Sequence, residues 1–227
     1  LAEDLKPNRL EAPKDVAAEF INGRPNDNIG ITLFAGESFT QCPLTVDHAV
    51  LLDMIHNIKC GLIEDGTAVG MGIANAVTRL KDSKAKSKVI ILLTDGTNNK
   101  GDISPMTAAE IAKSFGIRVY TIGVGTNGMA PYPYPVGNTV QYVSMPVEID
   151  EKTLTQIAGT TDGNYFRATS NSKLKEVYEE IDKLEKTKLN VKEYSKRDEE
   201  YHWFALAAFL CVLLEVLLRN SILKKIP

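Results

Sequence analysis

The stretch Lys88-Val-Ile-Ile-Leu-Leu-Thr-Asp95-Gly96-Thr-Asn-Asn-Lys-Gly101 decides the fold. Val89 to Leu93 is an unbroken apolar run. Such a run, rich in β-branched residues and closed by turn formers, reads as a strand buried on both faces. It ends in Thr94-Asp95-Gly96. A carboxylate therefore stands just past the carboxyl end of a central strand, where ligands collect in open α/β sheets. Gly96 lets the chain turn without a Cβ penalty. Taken alone, Asp95 reads equally well as a turn residue capping its own loop.

Working outward, further strands alternate with helices. Downstream, Ser104 caps a helix that opens on Pro105 and stops at Gly116. Ile117 to Val124 is a second buried strand. Gly125 to Val147 is a long insert rich in Pro, Gly and Tyr, of the length usual for functional loops, and Thr139 to Val143 suits one strand of a small hairpin. Asp150 opens a helix to Ala158. Asn164 to Ala168 is a short last strand, and Ser170 or Asn171 caps a helix running to about Leu184.

Upstream, Pro7 to Asn22 is a helix. Ile29 to Ala35 and Phe39 to Leu44 are strands only three residues apart, hence an antiparallel hairpin, with Pro43 placing the second at a sheet edge. Asp47 to Ile58 is a helix capped by Thr45 or Asp47. Glu64-Asp65-Gly66-Thr67 then leads into a small-residue helix ending at Leu80, where Gly70, Gly72, Ala74 and Ala76 permit close packing. Thr67 either caps that helix or points into the cleft. The alternation predicts an α/β fold with a mostly parallel sheet and helices on both faces.

Composition narrows the function. The chain has 227 residues, 44% hydrophobic and 24% charged, with a net charge of −3. That suits one large α/β domain with a small appendage, and no basic excess points to nucleic acid. The cysteines, Cys42, Cys60 and Cys211, have no CxxC spacing and give no disulfide framework. His48 and His56 have no acidic or Cys partner at ligand spacing and read as solvated or core residues. The chain opens on Leu1 directly before a helix, so we expect a first strand upstream of it.

The tail changes character. Residues 189–202 are a charged connector. Trp203 to Leu214 is apolar throughout, Glu215 interrupts, and Val216 to Leu218 resumes. Residues 203–223 number 21, about the 20 needed to cross a bilayer, with Tyr201 and Trp203 suited to an interface belt. We expect a transmembrane helix over 203–223 and a tail over 224–227. The alternative is a helix buried in a dimer. Lys224 and Lys225 lean towards the cytoplasm, which would place the domain on the extracytoplasmic side.

Several motifs are excluded. Gly123-Val-Gly125-Thr-Asn-Gly128 matches GxGxxG, but Pro131 and Pro133 prevent the helix a dinucleotide fingerprint requires. Gly70-Met-Gly72 follows no strand. No GxxxxGK[ST], GxSxG or Cys/His pair is present. What remains is Asp65-Gly66-Thr67 at a helix start and Thr94-Asp95-Gly96 at a strand end.

This pair, in its order and spacing, resembles the von Willebrand factor A (VWA) domain over about residues 1–188. The resemblance implies a Rossmann-like sheet with one antiparallel edge strand and a metal-ion-dependent adhesion site (MIDAS), usually holding Mg²⁺, at its carboxyl edge. Thr67 matches the family's second-loop Thr and Asp95 its third-loop Asp. The first-loop Asp-x-Ser-x-Ser is not found in this chain. Mg²⁺ takes octahedral oxygen ligands, keeps waters, and so leaves a position for a partner's carboxylate. With only two family positions present, we expect weak or no Mg²⁺ binding by this chain and a fuller site in the intact protein. In the family the first strand lies between the Ile29–Ala35 and Val89–Leu93 strands, so we expect a gap there.

Closer still, the segments at 3–10, 36–45, 64–70, 92–99, 130–133 and 145–150 resemble the bacterial aerotolerance-operon (Bat-type) VWA proteins. That resemblance implies a protein-interaction module at the bacterial inner membrane, not an enzyme, acting with sister Bat-type proteins and a MoxR-type AAA+ ATPase. Two alternatives are an enzyme of flavodoxin-like architecture using the same sheet edge and a scaffold with a vestigial metal site.

Overall fold

The computed structural model describes residues 5–61, 64–126, 128–136, 139–147, 149–194 and 201–221. The chain divides into two units, Leu1–Glu185 and Lys186–Pro227.

In the first unit, Asn8 Oδ1 accepts the N–H groups of Leu10 and Glu11, both at 2.9 Å. This turn delays α1 to Glu11–Asn22, later than the Pro7 start expected. β1 (Ile29–Phe34) and β2 (Ser38–Thr45) form the antiparallel hairpin, with Leu33 opposite Phe39. α2 (His48–His56) is capped by Asp47, whose carboxylate accepts from Val50 N–H. α3 (Val69–Leu80), β3 (Val89–Thr94), α4 (Pro105–Ser114) and β4 (Arg118–Val124) follow in the alternation read from the sequence. Ser104 caps α4 and Pro105 opens it. The long insert is a hairpin of β5 (Gly128–Val136) and β6 (Thr139–Val147). α5 (Glu151–Thr160), β7 (Tyr165–Ala168) and α6 (Asn171–Tyr194) complete the order. Asp150 caps α5, and the two bonds it accepts from Thr153 hold its carboxyl below the ordinary value.

β3, β4 and β7 make a parallel sheet with β4 in the middle. One face packs Ile90, Leu92 and Val119 against α3, α4 and α5 through Ile73, Ala109 and Ile157. The other packs Tyr120, Ile122 and Val124 against α1 and α6 through Val16, Leu174 and Ile181. β4 is therefore buried on both faces. β3 is less so: Ile90 and Leu92 are buried, whereas Val89, Ile91 and Leu93 are half-buried. Among the described strands β1 pairs with β2 alone and is not a hydrogen-bonded neighbour of β3. The antiparallel strand expected at the edge of one continuous sheet thus lies in a two-stranded sheet of its own.

The small residues of α3 act as expected. A methyl at Gly70 would overlap the Ile103 carbonyl oxygen, and one at Gly72 would sit 2.9 Å from the Phe34 ring.

At the amino end of β4 a buried carboxylate ties α6 to the sheet. Glu185 accepts hydrogen bonds from Tyr120 Oη (2.6 Å), Arg118 Nη2 (2.6 Å) and Ser87 Oγ (2.8 Å). Burial alone would raise the Glu185 pKa, but these donors outweigh it and hold the carboxyl below its ordinary value. Burial, with the bond to Glu185, pushes the Tyr120 hydroxyl up.

The second unit carries α7 (Tyr201–Ser221). The expected transmembrane helix is not found: among the described residues no helix is long and apolar enough to cross a membrane. The unbroken apolar run Trp203–Leu214 falls short of the roughly 20 residues a bilayer requires, and Glu215 ends it. Side chains at 203–204 and residues 222–227 lie outside the described ones. Among the described side chains of α7 the apolar ones are exposed, Phe209 at 65% and Leu214 at 61%.

Candidate functional site at the carboxyl edge of the sheet

Backbone bonds stitch three loops together at the carboxyl ends of β1 and β3. Ala68 N–H donates to Ala35 O (2.7 Å) and Gly36 N–H to Glu64 O (2.8 Å), fixing the lead into α3 against the end of β1. Asn99 N–H donates to Thr67 O (3.0 Å), fixing the same lead against the loop after β3. Thr67 is therefore held between two strand ends.

Asp95 and Thr67 come from adjoining loops. A Cβ on Gly96 would stand 3.2 Å from Thr67 Oγ1, so the hydroxyl lies directly over the residue that follows Asp95. Glycine here permits that approach. Thr67 does not cap α3: the N-cap position is Ala68, and no side chain bonds from it. The capping falls to the Asn-Asn pair in the loop after β3. Asn98 Oδ1 accepts from Val69 N–H (2.9 Å) and Asn99 Oδ1 from Thr67 N–H (2.8 Å). That leaves the Thr67 hydroxyl outside the capping set.

Asp95 is half exposed and faces Arg9, with Asp95 Oδ2 3.4 Å from Arg9 Nη1. The Arg9 side chain is only 6% exposed. It lies across Gly125, where φ is +119° and any Cβ would meet the guanidinium. The end of β4 thus makes room for the cation that reaches Asp95. Arg9, Asn98 and Asn99 were not picked out as site residues from the sequence. The Asn pair stands in the stretch that decided the fold, but pairing across 32 residues has no local signature. Arg9 is 86 residues from Asp95 and had no sequence signal at all.

Mg²⁺ is a demanding ion for this donor set. The ion takes about six oxygens in near-ideal octahedral geometry. The site offers one hydroxyl and one carboxylate, and a guanidinium already faces that carboxylate. Among the described residues no three His, Cys, Asp or Glu side chains converge to hold a metal. These residues do not by themselves fit the ion. The two histidines are no pair either: His48 Nε2 lies 2.9 Å from Asp27 O, and His56 Nδ1 lies 2.7 Å from Leu52 O.

The von Willebrand factor type A domain model matches residues 7–180, and the chain belongs to this family. Within it, the chain is similar to BatB from Bacteroides thetaiotaomicron, with 32% identity, a TM-score of 0.71, and coverage of 82% of this chain and 93% of that one. It is also similar to an aerotolerance-related membrane protein from Bacteroides fragilis, with 30% identity, a TM-score of 0.70, and coverage of 81% and 90%. An uncharacterized protein of Borreliella burgdorferi is 27% identical over 220 residues, 96% of this chain. The chain spans 64% of that relative's length.

Proposed function

We propose that this chain is a membrane-associated VWA interaction module that recruits protein partners through the carboxyl edge of its sheet, with Thr67 and Asp95 at the centre of the docking face. The carrying observation is that Thr67 Oγ1 lies over Gly96, the residue after Asp95, where two separate loops meet at that edge of a VWA fold. The Bacteroides neighbour described as an aerotolerance-related membrane protein supports a place at the bacterial inner membrane. The exposed apolar side chains of α7 supply a surface for membrane attachment. The partners under this reading are sister Bat-type proteins and a MoxR-type AAA+ ATPase, in an aerotolerance or stress-related assembly. No catalytic step is assigned.

Thr67 and Asp95 are oxygen donors of the kind Mg²⁺ prefers. Under this reading they are two ligands of a site that needs others. Purified sister protein and ATPase, each immobilised, test the docking face. Wild-type chain is captured, and Asp95→Ala is captured at least about tenfold more weakly, a loss of about 1.4 kcal/mol, while its circular dichroism is unchanged. Equal capture of both would remove Asp95 from the docking face.

A further inference from the structure

Arg9 carries a charge that the fold buries beside the docking face. Its side chain is 6% exposed, whereas that of Asp95, which it faces, is 54% exposed. A buried charge is tolerated only when it is paired and hydrogen-bonded, and the end of β4 is shaped around this one. Asn8 Oδ1 accepts the N–H groups of Leu10 and Glu11, so the turn that carries Arg9 is fixed before α1 begins. A Cβ at Gly125 would stand 2.5 Å from both Cζ and Nη2 of Arg9 and 2.9 Å from Nε. Three atoms of the guanidinium therefore lie against bare backbone. That backbone is itself pinned on both sides. Gly125 N–H donates to Ala168 O (2.9 Å), and Gly125 O accepts from Arg167 Nε (3.1 Å). Arg167 Nη1 in turn donates to Glu151 Oε1 (2.7 Å).

This seat aims Arg9 Nη1 at Asp95 Oδ2, 3.4 Å away. Charge-assisted bonds of this type run about 2.7–2.9 Å. The guanidinium thus balances the carboxylate without locking it, and Asp95 keeps a solvent-facing side. A second cation arriving at the same oxygen would stand within a few ångströms of a fixed positive charge, in a partly buried place where like charges repel more strongly than in water.

We propose that Arg9 is the resident cation of the carboxyl edge: it takes, at Asp95, the place of a divalent ion and keeps such an ion out. The poor fit of this donor set to Mg²⁺ then has a cause within the chain, since the positive charge at Asp95 is already supplied. The proposal rests on reading this edge as the docking face, and it makes docking by this chain independent of metal. Arg9 acts through Asp95 as a positioning residue, because its own side chain is too buried to meet a partner.

The test uses no partner, so its failure is separate from a failure of the docking reading. The full chain is titrated with Mn²⁺ alone, a cation that favours oxygen donors, and binding is read by electron paramagnetic resonance. Arg9→Gln removes the charge and binds Mn²⁺ at least about tenfold more tightly than wild type. Arg9→Lys keeps the charge and shows no such gain. Adding Asp95→Ala to Arg9→Gln abolishes the gain. Equal binding by wild type and Arg9→Gln overturns the proposal, as does a gain in Arg9→Lys that matches Arg9→Gln, or one that survives Asp95→Ala. A second measurement leaves Arg9 in place and stands even where its variants fail to fold. Asp95→Ala leaves the seated guanidinium facing an empty position that a small carboxylate can enter. Sodium formate should therefore raise the melting temperature of Asp95→Ala by at least roughly 2 °C more than sodium chloride at equal ionic strength, while wild type responds alike to both salts. An Asp95→Ala variant that does not distinguish the two salts overturns the pairing, and the proposal with it.

Discussion

Glu185→Ala probes the buried network at the amino end of β4. The wild-type carboxylate takes hydrogen bonds from Tyr120, Arg118 and Ser87 and is 5% exposed. Alanine removes the acceptor and leaves the Arg118 guanidinium, 18% exposed, without its carboxylate. Hydrogen bonds to charged groups contribute about 1.5–3 kcal/mol each, but they are not additive. Breaking a buried ion pair by deleting one partner costs about 3–5 kcal/mol. We take that range as the expected loss. For a domain of this size each kcal/mol moves the melting temperature by roughly 2–4 °C, so the midpoint should fall by about 6–20 °C. The double variant Glu185→Ala/Arg118→Ala should cost less than the sum of the single changes, since the orphaned charge is gone. The pH dependence has a fixed sign. The folded-state pKa of Glu185 is lowered, so its stabilisation is present above the unfolded carboxyl value of about 4.3 and is lost as pH falls through the folded value. The difference between wild type and Glu185→Ala should therefore be full at pH 7 and shrink below about pH 4. Urea titration at pH 7 and under acid conditions reads both quantities. A loss below about 1 kcal/mol at pH 7 would show that Glu185 does not hold α6 to the sheet.

Three further outcomes follow from named contacts. Gly70→Ala drives a methyl into the Ile103 carbonyl, and overpacking of this kind costs about 1–3 kcal/mol in a thermal melt; an unchanged midpoint would mean α3 and the 103–104 segment move apart freely. Asn99→Ala removes the acceptor for Thr67 N–H and should cost about 0.5–2 kcal/mol, the usual scale of a lost cap, with partner capture weakened as Thr67 loosens. Calorimetric titration of this chain with Mg²⁺ should give weak or undetectable heat, because two oxygen donors make a poor octahedral site; submicromolar affinity would refute the account of the donor set.

Local chemistry was enough for much of this protein. The apolar run at Val89–Leu93 located β3, and its Asp-Gly ending located the turn that closes it. Ser104-Pro105 and Asp150 announced their helix starts, Thr45 or Asp47 marked another that the structure assigns to Asp47, and the glycines of α3 announced a close approach. These signals lie within a few residues of what they specify, so sequence carries them. The tertiary structure decided what is paid out across long separations. Arg9 meets Asp95 only because α1 and the end of β4 converge, and no pattern near either residue encodes that meeting. The caps of the Thr67 loop come from Asn98 and Asn99, across the sheet edge, rather than from Thr67 itself. Glu185 reaches Tyr120 and Arg118 only because folding sets α6 over the amino end of β4. The Pro-Tyr insert read only as a long loop with a possible strand. Its pairing register set all four prolines at positions of one parity, because a proline's missing N–H acquires a direction only when a second strand lies beside it.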